Sequence, residues 1–119
     1  MSDARLYRFD DLPADRPMEL LERRRFSGEH VTVAQITLLR GCDVPMHEHE
    51  NEQVSIIQSG RLRFTIGREG SPEHREVVVS AGEILHLPPN VPHGAVAEVD
   101  TVVLDLFSPP AVTTGIDKK

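Results

Sequence analysis

The chain is 119 residues long and carries a formal charge of −6, with 39% hydrophobic and 27% charged residues. That length holds one core and not two, and the balance is neither that of a disordered chain nor that of a membrane one. The acidic excess argues against nucleic acid or an anionic membrane as partner, and no apolar run nears the ~18 residues of a spanning helix.

The start, Met1-Ser2-Asp3-Ala4-Arg5, lacks the basic and then apolar pattern of a secretory leader. Asp10-Asp11-Leu12-Pro13 and Asp15-Arg16-Pro17 read as turns within an N-terminal arm, residues 1–19. Met18 to Arg25 consists of strong helix formers, yet every clear neighbour reads as a strand, and a strand is expected from about Leu20 to Ser27. Inside it Arg23-Arg24-Arg25 reads as a solvated face rather than a phosphate site. His30 to Leu39 follows as a strand with Ala34, Ile36 and Leu38 on one face. Cys42 is the only cysteine. An intramolecular disulfide is therefore excluded, a cytoplasmic setting is expected, and a small apolar filler is a better reading of this residue than a nucleophile.

Val54 to Ser59 and Arg61 to Ile66 flank Ser59-Gly60 as a hairpin, with Leu62, Phe64 and Ile66 on one face. Arg75 to Val79, Glu83 to Leu87, His93 to Glu98 and Thr101 to Phe107 continue the series. Short strands punctuated by single prolines and glycines predict an all-β sandwich or barrel over residues 20–110. The polar tail, residues 111–119, reads as flexible. In the last strand Val103, Asp105 and Phe107 share a face. Asp105 either points into the barrel, where burial would raise its pKa and fit it to move protons, or faces solvent from an edge strand.

The chemistry concentrates in His47-Glu48-His49-Glu50-Asn51-Glu52-Gln53. In an extended segment His47, His49 and Gln53 share one side, and Glu48, Glu50 and Glu52 take the other. A second stretch, Gly82-Glu83-Ile84-Leu85-His86-Leu87-Pro88-Pro89-Asn90-Val91-Pro92-His93, places a histidine after a proline-stiffened turn. Such stiffness suits a ligand that must sit within a few tenths of an ångström of its place. His30, His74 and His86 read as structural or surface residues.

The two stretches resemble the two motifs of the cupin superfamily, G-x5-H-x-H-x3-E-x6-G and G-x5-P-x-G-x2-H-x3-N. Gly41, His47, His49 and Gly60 sit at the spacings of the first, with Gln53 in the Glu place. Gly82, Pro88 and His93 fit the second, with Asn90 in place of Gly and Ala97 in place of Asn. The resemblance implies a single small cupin jelly-roll β-barrel (a double-stranded β-helix) with an N-terminal arm. It implies one divalent transition metal ion held by His47, His49, Gln53 and His93. Nitrogen and oxygen donors suit Zn, Ni, Fe, Mn or Co alike. Four uncharged ligands leave the ion its full +2 charge and two open positions on a six-coordinate centre, enough for an oxygen chelate.

Among cupins the chain is similar to the small uronate-processing KdgF type, through His47 to Gln53, Val91-Pro92-His93-Gly94 and Asp105-Leu106-Phe107-Ser108-Pro109. That similarity implies a metal-dependent isomerase or lyase acting on a small oxygenated acid or sugar, with Asp105 catalytic and Phe107, Phe64 and Arg40 as candidate substrate-binding residues. The arginine expected four residues after the Phe is Ala111 here, so Arg23, Arg25 or Arg40 must replace it or the substrate is not a uronate. An Fe or Ni dioxygenase and a non-enzymatic binding module are the other readings of the same barrel. A homodimer is expected, with the arm around Tyr7-Arg8-Phe9 pairing with a neighbour's sheet.

Overall fold

The computed structural model describes residues 3–117. A short 3-10 turn (Phe9–Asp11) precedes ten strands: β1 (Ala14–Met18), β2 (Leu21–Ser27), β3 (Thr32–Leu38), β4 (Asp43–His47), β5 (Glu52–Ser59), β6 (Arg61–Ile66), β7 (Arg75–Ser80), β8 (Ile84–Leu87), β9 (His93–Ala97) and β10 (Thr101–Ser108). They form a six-stranded sheet in the order β1-β2-β3-β10-β5-β8 and a four-stranded sheet in the order β4-β9-β6-β7. Every neighbouring pair is antiparallel. This is the jelly roll expected from the sequence. Among the described residues no helix is long and apolar enough to cross a membrane.

Period-two alternation builds the core. Ala34, Ile36 and Leu38 of β3, Leu62, Phe64 and Ile66 of β6, and Val103 and Phe107 of β10 are all buried and belong to one cluster drawn from both sheets. Each large side chain among them contributes about 1.5–3 kcal/mol by leaving water. β10 lies inside the larger sheet, paired with β3 and with β5. Asp105 is therefore not on a solvent-facing edge: it is 7% exposed and faces inward with Val103 and Phe107.

Three local features differ from the sequence reading. Asp15-Arg16-Pro17 is not a turn but part of β1. A proline survives there because β1 is the outer strand of its sheet and its register shifts between Asp15 and Met18. The strand expected from about Leu20 to Ser27 is present as β2 despite its helix formers, because β2 is paired on both sides, with β1 and with β3. His47 to Gln53 is not one extended segment. β4 ends at His47 and β5 begins at Glu52, in different sheets, although Glu48, Glu50 and Glu52 do face water.

The third difference concerns the arginine triplet, which is not a solvated face. Arg23 is 1% exposed, on the inward side of β2 with Leu21. Its guanidinium donates to both oxygens of Asp15 (3.1 and 2.8 Å), to the Thr113 carbonyl (2.8 Å), to Thr114 Oγ1 (3.1 Å) and to the Asp117 carboxylate. Arg24 donates to the carbonyls of Phe9, Asp10 and Leu12, and Arg25 donates to Asp15. The triplet ties both ends of the chain to the barrel. In the segment 111–117 Thr114 is only 2% exposed, while Val112 is 60% exposed. Hydrogen bonding from Arg23 holds the Asp15 carboxyl down at about 2, against its partial burial. Burial opposes the charge on Arg23, and the bonds to Asp117 and Asp15 more than restore it.

Candidate metal centre

His47 ends β4 and His93 opens β9, and the two are register partners in the smaller sheet. Gly94 makes that closeness possible: a Cβ there would lie 2.9 Å from the Val44 carbonyl oxygen and 3.1 Å from the Met46 nitrogen. His49 sits in the bend between the sheets, and its carbonyl accepts the Asn90 N–H (2.8 Å) from the proline turn. Asn90 adopts φ +65°, the left-handed region a glycine takes freely and asparagine tolerates, which explains its presence at the motif's glycine position. Gln53 comes in from the larger sheet, 5% exposed.

The imidazoles converge. The candidate ligand atoms of His47, His49 and His93 lie within 4.8 Å of one another. Each ring is oriented by a backbone carbonyl: Nδ1 of His47 donates to Pro45 (2.8 Å), that of His49 to Asn51 (3.0 Å) and that of His93 to Val91 (2.9 Å). A carbonyl only accepts, so each Nδ1 carries a proton, and in the neutral ring the Nε2 presents a lone pair. Burial pushes the His93 pKa down to about 4 and that of His47 down as well, which keeps both imidazoles neutral at physiological pH.

Gln53 is fixed from behind. Ser55 Oγ donates its one proton to Asp105 Oδ1 (2.5 Å), so it accepts from Gln53 Nε2 (3.0 Å). The amide oxygen is thereby turned toward His49, 3.0 Å from Nε2. Two acceptors face each other there, and His93 Nε2 is buried with no hydrogen-bond partner. Leaving such a group unpaired costs about 1–3 kcal/mol. A divalent cation among these four atoms would satisfy them together, and a set of three nitrogens and one oxygen suits a first-row transition ion. The residues present therefore fit a bound metal.

The same structure places the remaining candidates. Desolvation raises the Asp105 carboxyl to about 6, against the lowering effect of hydrogen bonds from Ser55 and Gln53. Phe64 and Asp105 line a small internal cavity of about 40 Å³ together with His47, Gln53 and His93. Phe107 lies edge-on to His49, ring centroids 5.7 Å apart. Arg40 is not brought to this site. It is exposed in the turn before β4, at the end of that strand opposite His47, with its backbone N–H on Asp100 (2.8 Å). Arg23 and Arg25 are engaged with the carboxylates described above. Outside the internal cavity runs a groove of about 830 Å³, bounded by Pro45, His47, Glu48 and His49 on one side and by Gly115 and Asp117 on the other.

His30 pairs with Glu29, His86 with Glu52, and His74 with the Gly67 carbonyl, all away from the cluster. Cys42 is buried in the core. Sequence reasoning missed Ser55 and the C-terminal residues. Ser55 carried one available signal: like Gln53 it has inward parity on β5, and it is the register partner of Asp105.

A family model described as the cupin domain matches residues 34–107. No curated protein sequence matches the chain significantly. Among solved structures, an RmlC-like cupin from Shewanella frigidimarina aligns with a TM-score of 0.78 at 22% identity, covering 90% of this chain and 92% of that one. KdgF from Halomonas sp. aligns with a TM-score of 0.77 at 23% identity, over 92% and 97% of the two chains. A point variant of Bacillus subtilis oxalate decarboxylase aligns with a TM-score of 0.81 at 18% identity, over 93% of this chain and 31% of that enzyme. Another structure of that decarboxylase concerns its Mn(II) centres.

Proposed function

Because the chain belongs to the cupin family, we propose that it is a metal-dependent isomerase or lyase acting on a small oxygenated acid or sugar. The observation that carries this reading is the convergence of His47, His49, His93 and the Gln53 amide oxygen beside a buried carboxyl, Asp105, whose pKa lies near 6. A bound divalent ion would supply a Lewis acid that draws electron density from a substrate oxygen. The protein's own share is positioning and proton transfer. Three carbonyl-tied imidazoles and an amide fixed through Ser55 hold the donor atoms before any ion arrives. Phe64 and Phe107 exclude water from the inner face. Asp105, balanced between its two protonation states near pH 6, takes a proton from a carbon or hydroxyl next to the activated oxygen and returns it at a neighbouring atom.

KdgF-like uronate chemistry is the most specific form of this proposal. With Arg23 and Arg25 engaged by carboxylates and Arg40 at the far end of β4, the acid group of a uronate would meet the ion's uncompensated charge rather than an arginine fork. Protein purified without added metal, analysed for bound elements and then assayed on unsaturated uronates and related keto acids, tests the reading. Asp105→Asn is expected to retain metal and lower turnover by about 10²-fold or more. Turnover untouched by that change would remove Asp105 from the reaction. The proposal includes a homodimer formed through the N-terminal arm, whose Leu6 and Tyr7 are exposed at 80% and 50%. A monomeric mass at micromolar concentration would reject that part.

A further inference from the structure

The C-terminal segment divides the space around the metal centre in two. Thr114 lines the internal cavity with Asp105, Gln53 and His93, Gly115 and Asp117 line the outer groove with His49, and Ile116 and His47 border both. The fit is close. A Cβ on Gly115 would lie 2.6 Å from His49 Cδ2 and 3.1 Å from His47 Nε2, and its φ of +81° already favours glycine. The internal cavity, about 40 Å³, has room for ordered water and not for a sugar. With this segment in place, a ligand of several atoms can occupy the groove but cannot reach Asp105.

Ala111 and Ile116 pack against the core, and the polar ties that hold the segment are few. Its own backbone bonds, Thr114 to Ala111 and Ile116 to Thr113, only shape its turns. Ala111 is tied to Thr32 Oγ1 (3.0 Å). Every bond described above from the barrel wall to residues 113–117 comes from Arg23, a fully buried side chain on a strand fixed between two others. Its opposite face is held by Asp15.

We propose that residues 111–117 are a door over the metal centre, that Arg23 is its latch through Thr113, Thr114 and Asp117, and that ligand entry to the inner cavity requires the latch to release. Arg23 is thus a positioning residue acting through the segment it holds. The inference rests on the metal-centre reading, but not on the reaction assigned to it.

The test uses the full chain loaded with zinc and two measurements: the rate at which excess EDTA removes the ion, and hydrogen exchange of peptides spanning residues 109–117. Asp117→Asn weakens the latch while Asp15 keeps the buried guanidinium paired, so the fold is retained. It is expected to speed exchange in residues 111–117 and to speed zinc removal about tenfold, the effect of losing one charge-assisted bond. Gly115→Ala, which forces the door away from the rings, is expected to do the same. Faster exchange with unchanged zinc removal overturns the door. Unchanged exchange overturns the latch, whatever the zinc rate. If the protein takes up no zinc or other divalent ion, the metal-centre reading fails, and exchange alone then judges the latch: faster in Asp117→Asn upholds it, unchanged rejects it.

Discussion

Two polar clusters lie side by side at the mouth of one barrel, and they are opposites. Around Arg23 every donor is matched: two carboxylates, a carbonyl and a hydroxyl surround one buried cation. Around His93 the matching fails: one lone pair is buried with no partner and another faces an amide oxygen. Burial and polarity are alike in both, so neither property marks a binding site. The useful distinction is whether the polar atoms satisfy one another. A saturated cluster fixes structure, whereas an unsaturated one that the fold nevertheless preserves points to a missing guest.

Three measurements can break or sharpen this contrast. The largest effect is expected from His93→Ala, which should weaken divalent-metal binding by more than about 100-fold, the loss that outer-shell partners alone can cause. It should leave the metal-free protein within about 1 kcal/mol of wild type, because removing an unpaired buried nitrogen offsets the lost packing. Calorimetric titration and urea unfolding read the two halves, and a large loss of apo stability would mean the histidines are structural. Next comes the double substitution Asp15→Asn and Asp117→Asn. It leaves the guanidinium buried without a counter-charge and should destabilise metal-free and metal-loaded protein alike by about 3 kcal/mol, the low end for a broken buried pair because both carboxylates are partly exposed. An effect confined to the metal-loaded form would erase the distinction.

The smallest effect is the pH dependence of the saturated cluster. Asp15 has a folded-state pKa near 2 against an ordinary value of 3.8. The unfolded chain therefore takes up the proton first, and the stability that Asp15 contributes is complete above about pH 4 and is lost as pH falls toward 2. Unfolding free energies measured between pH 5 and pH 2 should show this loss in wild type and not in Asp15→Asn.

Much of the frame was legible because period-two alternation is a local signal. Leu62, Phe64 and Ile66, and likewise Val103, Asp105 and Phe107, share a face in the sequence and in the barrel. The histidines were legible because two short motifs carry them, although the parity argument worked for a different reason than expected. The segment changes sheets between His47 and Gln53, and the bend rather than one continuous pleat turns both side chains inward. β1 was hidden by Pro17, which marks a turn unless the strand is known to be an outermost one. Arg23 was misread because only one of its counter-charges, Asp15, lies nearby in the chain, whereas the other, Asp117, is 94 positions away. Nothing near a basic triplet in the chain announces a partner at the far end. The same separation concealed the contacts of residues 111–117, which are made with Arg23 and with the core.

The packing of Gly115 against His49 and His47 also bears on how the protein should be handled. A hexahistidine purification tag fused after this segment would bring competing imidazoles close to the candidate metal ligands. Recombinant forms intended for elemental analysis or assay should carry their handle at the other terminus.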